Sequence, residues 1–256
     1  MRNLSEKTSS EKTVLGDGIS ASRFSARPLY LQARDAIAQR ISAGEWKPHT
    51  AIPNENDLAR EFGVSPGTMR KALDLAEAER LVTRRQGRGT FVNDPSSEEH
   101  GQRYNSIRGR DGKCLDRHME VLNFLETTVN ERECLRLHLR LRERVIRIRR
   151  LRSVDGQPYM LEDVAMPAKL FPDWTHQDAP QRIVVLAQQS GLLLGRGEER
   201  LTIGAAAPDV AAALKVENGA TVMRLDRVIY TLDGKPAEWR IGQCLMDGRH
   251  YLADLK

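Results

Sequence analysis

The chain has 256 residues, 29% of them charged, and its 40 Lys/Arg outnumber 35 Asp/Glu for a net charge of +5 and a pI near 9.2. That length suits two ordinary domains, and no apolar run approaches the ~20 residues of a membrane-spanning helix. Three widely separated cysteines, Cys114, Cys134 and Cys244, exclude a disulfide scaffold and show no metal-ligand spacing, as suits a reducing cytoplasm, while the modest positive charge permits a polyanionic partner without establishing one.

Residues 1–25 are rich in Ser, Thr, Lys and Glu and lack the apolar core of a secretion signal. They predict a disordered tail, with a DNA-touching arm as the other reading. From Pro28 the chain opens a helix with Tyr30, Ala33, Ile37 and Ile41 on one face, stopped by Gly44. Asn54 is placed to cap a second helix carrying Leu58 and Phe62, which Gly63 ends. Ser65 caps a third helix, with Pro66 in its first turn and Met69, Ala72, Leu73 and Ala76 as its buried stripe. Leu81 to Arg85 and Thr90 to Val92 read as strands joined by a tip, Gln86-Gly87-Arg88-Gly89. Helix, turn, helix and ribbon outline a winged helix-turn-helix over residues 26–93.

The chemistry of that stretch suits a DNA reader. Ser65, Gly67 and Thr68 make the third helix's first turn small, so its N-terminus approaches bases or phosphate closely. Arg70 and Lys71 follow as backbone-gripping donors, and Gly87 and Gly89 let Arg88 present a guanidinium to a groove. A solvated hairpin is the plainer account of Arg84, Arg85 and Arg88. Residues 26–93 hold only 11 Lys/Arg against 8 Asp/Glu, so specific geometry has to carry DNA binding.

Residues 94–114 are polar and glycine-bearing and read as an interdomain linker. Its Arg103, Arg108 and Arg110 have two readings: contacts to DNA or ligand, or solvated linker charges. From 115 to 256 the chain repeats itself. A helix-like stretch around Glu133 to Leu137 leads into RVIRIRRLRSVDGQP, and Val210 to Leu214 leads into TVMRLDRVIYTLDGKP. Leu137, Val145, Arg147 and Arg150 answer Leu214, Val222, Arg224 and Arg227 at one offset, and the Asp-Gly turns then match with a slip of one residue. A bulge would produce such a slip. Each unit predicts helix, strand, tight turn and strand, and two units predict a largely antiparallel sheet with helices on one face. Further helical segments fall near Ala168 and over Gln181 to Ser190.

Arg150 and Arg152 share a sheet face and form a fork matched to phosphate or carboxylate. Glu162 and Glu238 are placed to accept hydrogen bonds from ligand hydroxyls or amines. The alternative is cross-strand Arg–Glu pairing on an exposed face, worth ~0.2–1 kcal/mol.

Two resemblances bear on these readings. Pro28 to Val92, with PLY, ENDLAREFGVS, TMRKALDLAEAERLV and RRQGRGTF, resembles the DNA-binding domain of the GntR family of bacterial transcription regulators. Two DNA-contacting positions where the family usually has Arg hold Asn56 and Pro66 here. The DNA-binding set is therefore Asn54, Asn56, Ser65, Gly67, Thr68, Arg70, Lys71, Gly87, Arg88 and Gly89. The second half resembles the UTRA effector-sensing domain of the HutC branch, through Arg150–Leu151–Arg152, DGQP, Leu161–Glu162, MPA, LFP and DGKPAE. That resemblance implies a fold similar to chorismate lyase and an effector site of Arg150, Arg152, Glu162 and Glu238. Gln181 replaces a frequent pocket serine, and GQCLMDG stands where members usually show a Tyr and an Arg-Gly-Asp run.

The sequence thus predicts an α+β, two-domain, cytoplasmic, ligand-responsive regulator. By the family's habit it is a repressor. It is a homodimer on a palindromic double-stranded DNA operator, released by a small effector carrying phosphate or carboxylate, with no metal, no cofactor, no membrane partner and no catalytic residues. Two rivals stand beside it: a DNA-tethered enzyme, using Glu162 as acid or base on a substrate held by Arg150 and Arg152, and a DNA-binding protein whose second domain only dimerises.

Overall fold

A computed structural model describes residues 27–94, 104–115 and 118–253. The expected N-terminal tail and Arg103 lie outside these residues.

Pro28 precedes α1 (Leu29–Ser42), which buries Ala33, Ile37, Ala38 and Ile41, and Gly44 closes it in the left-handed region at φ 73°. The Asn54 side chain accepts the N–H groups of Asn56 and Asp57 at 3.1 and 3.0 Å, which starts α2 (Glu55–Glu61). Ser65 accepts the Thr68 N–H at 3.1 Å and starts α3 (Pro66–Ala78), which buries Met69, Ala72, Leu73 and Ala76. Gly63 turns the chain between them at φ 65°. β1 (Val82–Arg85) and β2 (Gly89–Val92) form the wing, and Ala51 bridges to Phe91 as a third rung. Leu58, Met69 and Leu73 are fully buried in one cluster with Ile37 and Val82. Each contributes about 1.5–3 kcal/mol of burial. Arg34 is a departure from the apolar stripe: it is buried too, and it bonds Glu79 across to the end of α3.

The second domain comprises β3 (Ile107–Gly109), β4 (His118–Thr128), α4 (Glu131–Leu137), β5 (Arg144–Val154), β6 (Gln157–Pro167), α5 (Ile183–Gln189), β7 (Leu194–Ala205), α6 (Pro208–Leu214), β8 (Thr221–Thr231), β9 (Pro236–Cys244) and β10 (Arg249–Tyr251). Six strands pair antiparallel in the order β4-β5-β6-β9-β8-β7. The repeat seen in the sequence is therefore real architecture. β4-α4-β5-β6 and β7-α6-β8-β9 are equivalent units joined at β6 and β9, with a pseudo-two-fold between these central strands.

Three expectations change. The slip between the two halves is not a bulge, because both hairpins carry a register shift at the same place, after Arg152 and after Ile229. It is instead one extra loop residue. Val154 pairs directly with Gln157 around Asp155 and Gly156, both at positive φ, whereas the Thr231 N–H reaches Lys235 around Leu232, Asp233 and Gly234. The helices are also not confined to one face. α4 and α6 cover one side of the sheet, and α5 covers the other with Ile183, Leu186 and Ala187 on Ile146, Ile148, Val164 and Ile229. Alternation along β5 makes this necessary, since Val145 and Ile146 point to opposite faces and both need covering. Finally, residues 104–114 of the polar stretch read as linker are built into the second domain. Tyr104 and Ile107 are buried, and β3 pairs with β10. Its apolar residues are too few to register as a pattern, yet each fills a place made by distant strands.

The domains touch. Leu193 and Leu232 pack against the first domain's core. Val184, Gln188 and Leu192, along and just past α5, line a gap of about 50 Å³ with Ile41, Leu81 and Asn93.

Candidate functional site

The DNA-reading candidates sit at one end of the first domain. Asn54 and Ser65 spend their side chains on helix caps, and Ser65 also bonds the Thr68 hydroxyl at 2.8 Å, so both shape the reading surface from within. Asn56, Gly67 and Thr68 lie at the starts of α2 and α3, with Asn56 and Gly67 exposed and Thr68 half-buried. Arg70 is exposed, but its guanidinium forks onto Glu55 at 2.8 and 3.2 Å, and that carboxylate raises its pKa. A phosphate has to take Arg70 from Glu55. Lys71 turns away from the tip and lies 3.9 Å over the Tyr30 ring, which gives it a packing role against α1. Arg84 pairs with Asp74 and Glu77, and Arg85 lies over Phe91. Arg88, at the wing tip between Gly87 and Gly89, both at positive φ, is exposed and keeps its guanidinium outside these pairings.

The other four candidates meet in the second domain, on the sheet face beneath α5. Arg150 and Arg152 face the same way on β5, and Glu162 is the cross-strand partner of Arg150 on β6. Arg150 Nη2 lies 3.3 Å and Arg152 Nε 2.9 Å from Glu162 Oε2. Two residues missing from the sequence prediction complete the group. Arg240 Nη1 reaches Glu162 Oε1 at 2.8 Å and its Nε lies 3.5 Å from Glu238, while Arg227 Nε lies 3.4 Å from Glu199. The signal was present: Arg227 is the repeat-mate of Arg150, and Arg240 lies two residues beyond Glu238 on one strand.

Exposed Arg–Glu pairing is overturned as an account of this face, because Arg150, Arg152, Glu162 and Glu238 are between 1% and 5% exposed. Burial depresses the Arg150 pKa and raises that of Glu238. At Glu162 burial also pushes upward, but Arg152 and Arg150 overcome it and hold the carboxylate below its ordinary range. The Arg150 Nη1 donates to the Ala179 carbonyl at 3.1 Å, and its Nε has no hydrogen-bond partner. The open space is small. One gap of about 30 Å³ lies between Arg150, Glu238 and the start of α5, and another of about 20 Å³ lies beside Arg152, Arg227 and Arg240. A roomier cleft of about 390 Å³ lies on the opposite face, between α4 and the strands that carry Arg147, Asp163, Arg224 and Trp239. Arg147 and Arg149 in its wall are already held by Glu133 and Asp209.

Burial also separates the three free thiols. It pushes the Cys244 thiol up to about 12, whereas Cys114 and Cys134 are half-buried. Alkylation of the native protein at pH 8 is expected to label Cys114 and Cys134 and to spare Cys244 until denaturant is added, because its thiolate fraction there is roughly one in ten thousand. Peptide mass spectrometry reads the result, and rapid native labelling of Cys244 would contradict this packing.

A winged helix-turn-helix joined to a sheet domain with a buried guanidinium–carboxylate cluster defines a ligand-responsive, DNA-binding transcription regulator. The chain belongs to the gntR family of bacterial regulatory proteins, matched over residues 29–92, and carries a UTRA domain, matched over residues 115–248. It is 29% identical over 206 residues to the histidine utilization repressor of Pseudomonas putida, a match covering 78% of this chain and 81% of that one. It is 28% identical over 218 residues to MngR, the mannosyl-D-glycerate transport/metabolism system repressor of Escherichia coli K12, covering 83% and 90%. Among solved structures, the ligand-binding domain of a GntR-type regulator from Bordetella bronchiseptica superimposes with a TM-score of 0.57 at 26% identity. That match covers 60% of this chain and 98% of that one. No helix among the described residues is long and apolar enough to cross a membrane.

Proposed function

We propose that the protein is a cytoplasmic, homodimeric repressor, released from a two-fold-symmetric operator when a small anionic metabolite binds at Arg150, Arg152, Glu162 and Glu238. The observation that carries this reading is the buried cluster itself. Three guanidiniums converge on Glu162 at 2.8–3.3 Å on a domain coupled by α5 to the DNA reader. Burying that much charge is expensive, and a site that exchanges internal partners for a ligand's gives the expense a use. The first turn of α3 with Ser65, Gly67 and Thr68 enters the major groove, Arg88 follows the backbone or minor groove, and Arg70 exchanges Glu55 for phosphate. A dimer presents two such tips, which accounts for the symmetry of the site. Both named relatives are repressors, which supports the sign of regulation. The cluster has no nucleophile beside a base, so we read it as a sensor and not as a catalytic centre.

Footprinting across the DNA upstream of its own gene tests the reading. A protected, two-fold-symmetric patch is expected, and its absence at every salt concentration would overturn it. Arg150→Met is expected to protect the same patch with unchanged affinity while losing release by any metabolite that frees the parent from DNA. That response can be no larger than the metabolite's differential affinity for the two states. A variant that still responds normally removes Arg150 from the sensing site.

A further inference from the structure

The cluster is closed by the chain that leads back to the DNA reader. The Tyr104 carbonyl accepts a hydrogen bond from Arg227 Nη1 and lies 3.4 Å from Arg240 Nη2. Its side chain pins this stretch in place. The phenol donates to the Gly195 carbonyl at 2.7 Å, and the ring lies where a Cβ on Gly197 would meet it at 3.5 Å. Asn105, Ser106 and Ile107 then line the gap of about 20 Å³ beside Arg152, Arg227 and Arg240, before β3 pairs with β10.

Two magnitudes bear on this arrangement. Gaps of 20 and 30 Å³ hold a water or two, whereas metabolite sites occupy roughly 300–1,000 Å³. Something in the lining has to move before a ligand enters. The floor is five antiparallel strand pairings, so the movable part is what lies over it. Charge points the same way. Among the described residues, Arg150, Arg152, Arg227 and Arg240 face three carboxylates, Glu162, Glu199 and Glu238, and burial raises the pKa of Glu238. A carbonyl oxygen gives Arg227 and Arg240 only a partial charge, and a charge-assisted bond to an oxyanion is about twice as strong.

We propose that Arg227 and Arg240 form an oxyanion subsite of the effector site, occupied at rest by the Tyr104 carbonyl, and that the effector's anionic group displaces residues 104–106. The inference rests on the effector reading of Arg150 and Arg152. It makes the interdomain chain a competitor of the ligand, so that filling the site and loosening the connection to the DNA reader are one event.

Inorganic phosphate is the probe, titrated into the full-length protein by calorimetry and followed by hydrogen exchange. Phosphate is expected to speed exchange of the amides from Tyr104 to Gly109. Tyr104→Ala is expected to bind phosphate more tightly, by about tenfold, because the closed state no longer competes. Arg240→Met is expected to weaken binding by at least about tenfold. A gain on removing Tyr104 is the discriminating result, since loss of a merely structural contact would not tighten binding, and it stands even if Arg240→Met fails to fold. The proposal falls if neither phosphate nor acetate at tens of millimolar binds and speeds exchange over 104–109, or if Tyr104→Ala binds the active anion no more tightly than the parent. Acetate acting in place of phosphate would put a carboxylate in the subsite and support the same device. If Arg150→Met abolishes binding while Tyr104→Ala and Arg240→Met behave as the parent, the subsite is wrong and the effector reading survives.

Discussion

Replacing Glu162 with alanine is expected to destabilise the sensing domain by about 3–5 kcal/mol. Arg150, Arg152 and Arg240 all take their closest carboxylate contact there, at 3.3, 2.9 and 2.8 Å, and each is nearly inaccessible to water. Removing the carboxylate leaves three guanidiniums buried beside Arg227 without that counter-charge, and solvent is too far away to replace it. Differential scanning calorimetry should show a sensing-domain transition lowered by roughly 10 °C, with the DNA reader's transition in place. Glu162→Gln, which keeps one acceptor oxygen but no charge, should fall between the two. A transition within about 2 °C of the parent would mean that the guanidiniums are served by water or by one another, contrary to the buried geometry.

The second large effect concerns DNA. Gly67→Glu is expected to weaken binding to the upstream region by roughly 100-fold, since a carboxylate set against phosphate costs several kcal/mol. Folding should be spared. A Cβ at Gly67 would meet only Ser65 Oγ, at 4.0 Å, and an acidic residue in the first turn of α3 favours the helix by about 0.3–1 kcal/mol. The expected signature is thus opposed changes, with thermal stability level or slightly higher and gel-shift affinity collapsed. Unaltered affinity would move the DNA contact away from the start of α3.

Local chemistry made the DNA reader legible in the sequence. Caps at Asn54 and Ser65, the turn at Gly63 and the stripe from Met69 to Ala76 each depend on residues a few positions apart, and the structure shows them all. The internal repeat was legible for a similar reason, because equivalent strands need equivalent patterns. What escaped depends on distance along the chain. Nothing near Tyr104 announces that its hydroxyl will find a carbonyl 91 residues away or that Arg227 will take its own carbonyl. By residue type Lys71 reads as a backbone-gripping donor, yet its ammonium lies over Tyr30, and Arg34, which breaks the apolar stripe of α1, is buried against Glu79. At the cluster, strand parity correctly placed Arg150 and Arg152 on one face. It said nothing of which face α5 would cover, and so left open whether that face was wet or dry.

The two hairpins place Arg150 opposite Glu162 in one half of the sheet and Arg227 opposite Arg240 in the other. Arginine answers arginine across the pseudo-axis, but the matching acid has become a base. The two ends of the cradle are therefore unlike, and the anionic effector proposed above has one orientation in it. In the proposed site, that asymmetry decides which end of the guest meets the chain coming from the DNA reader.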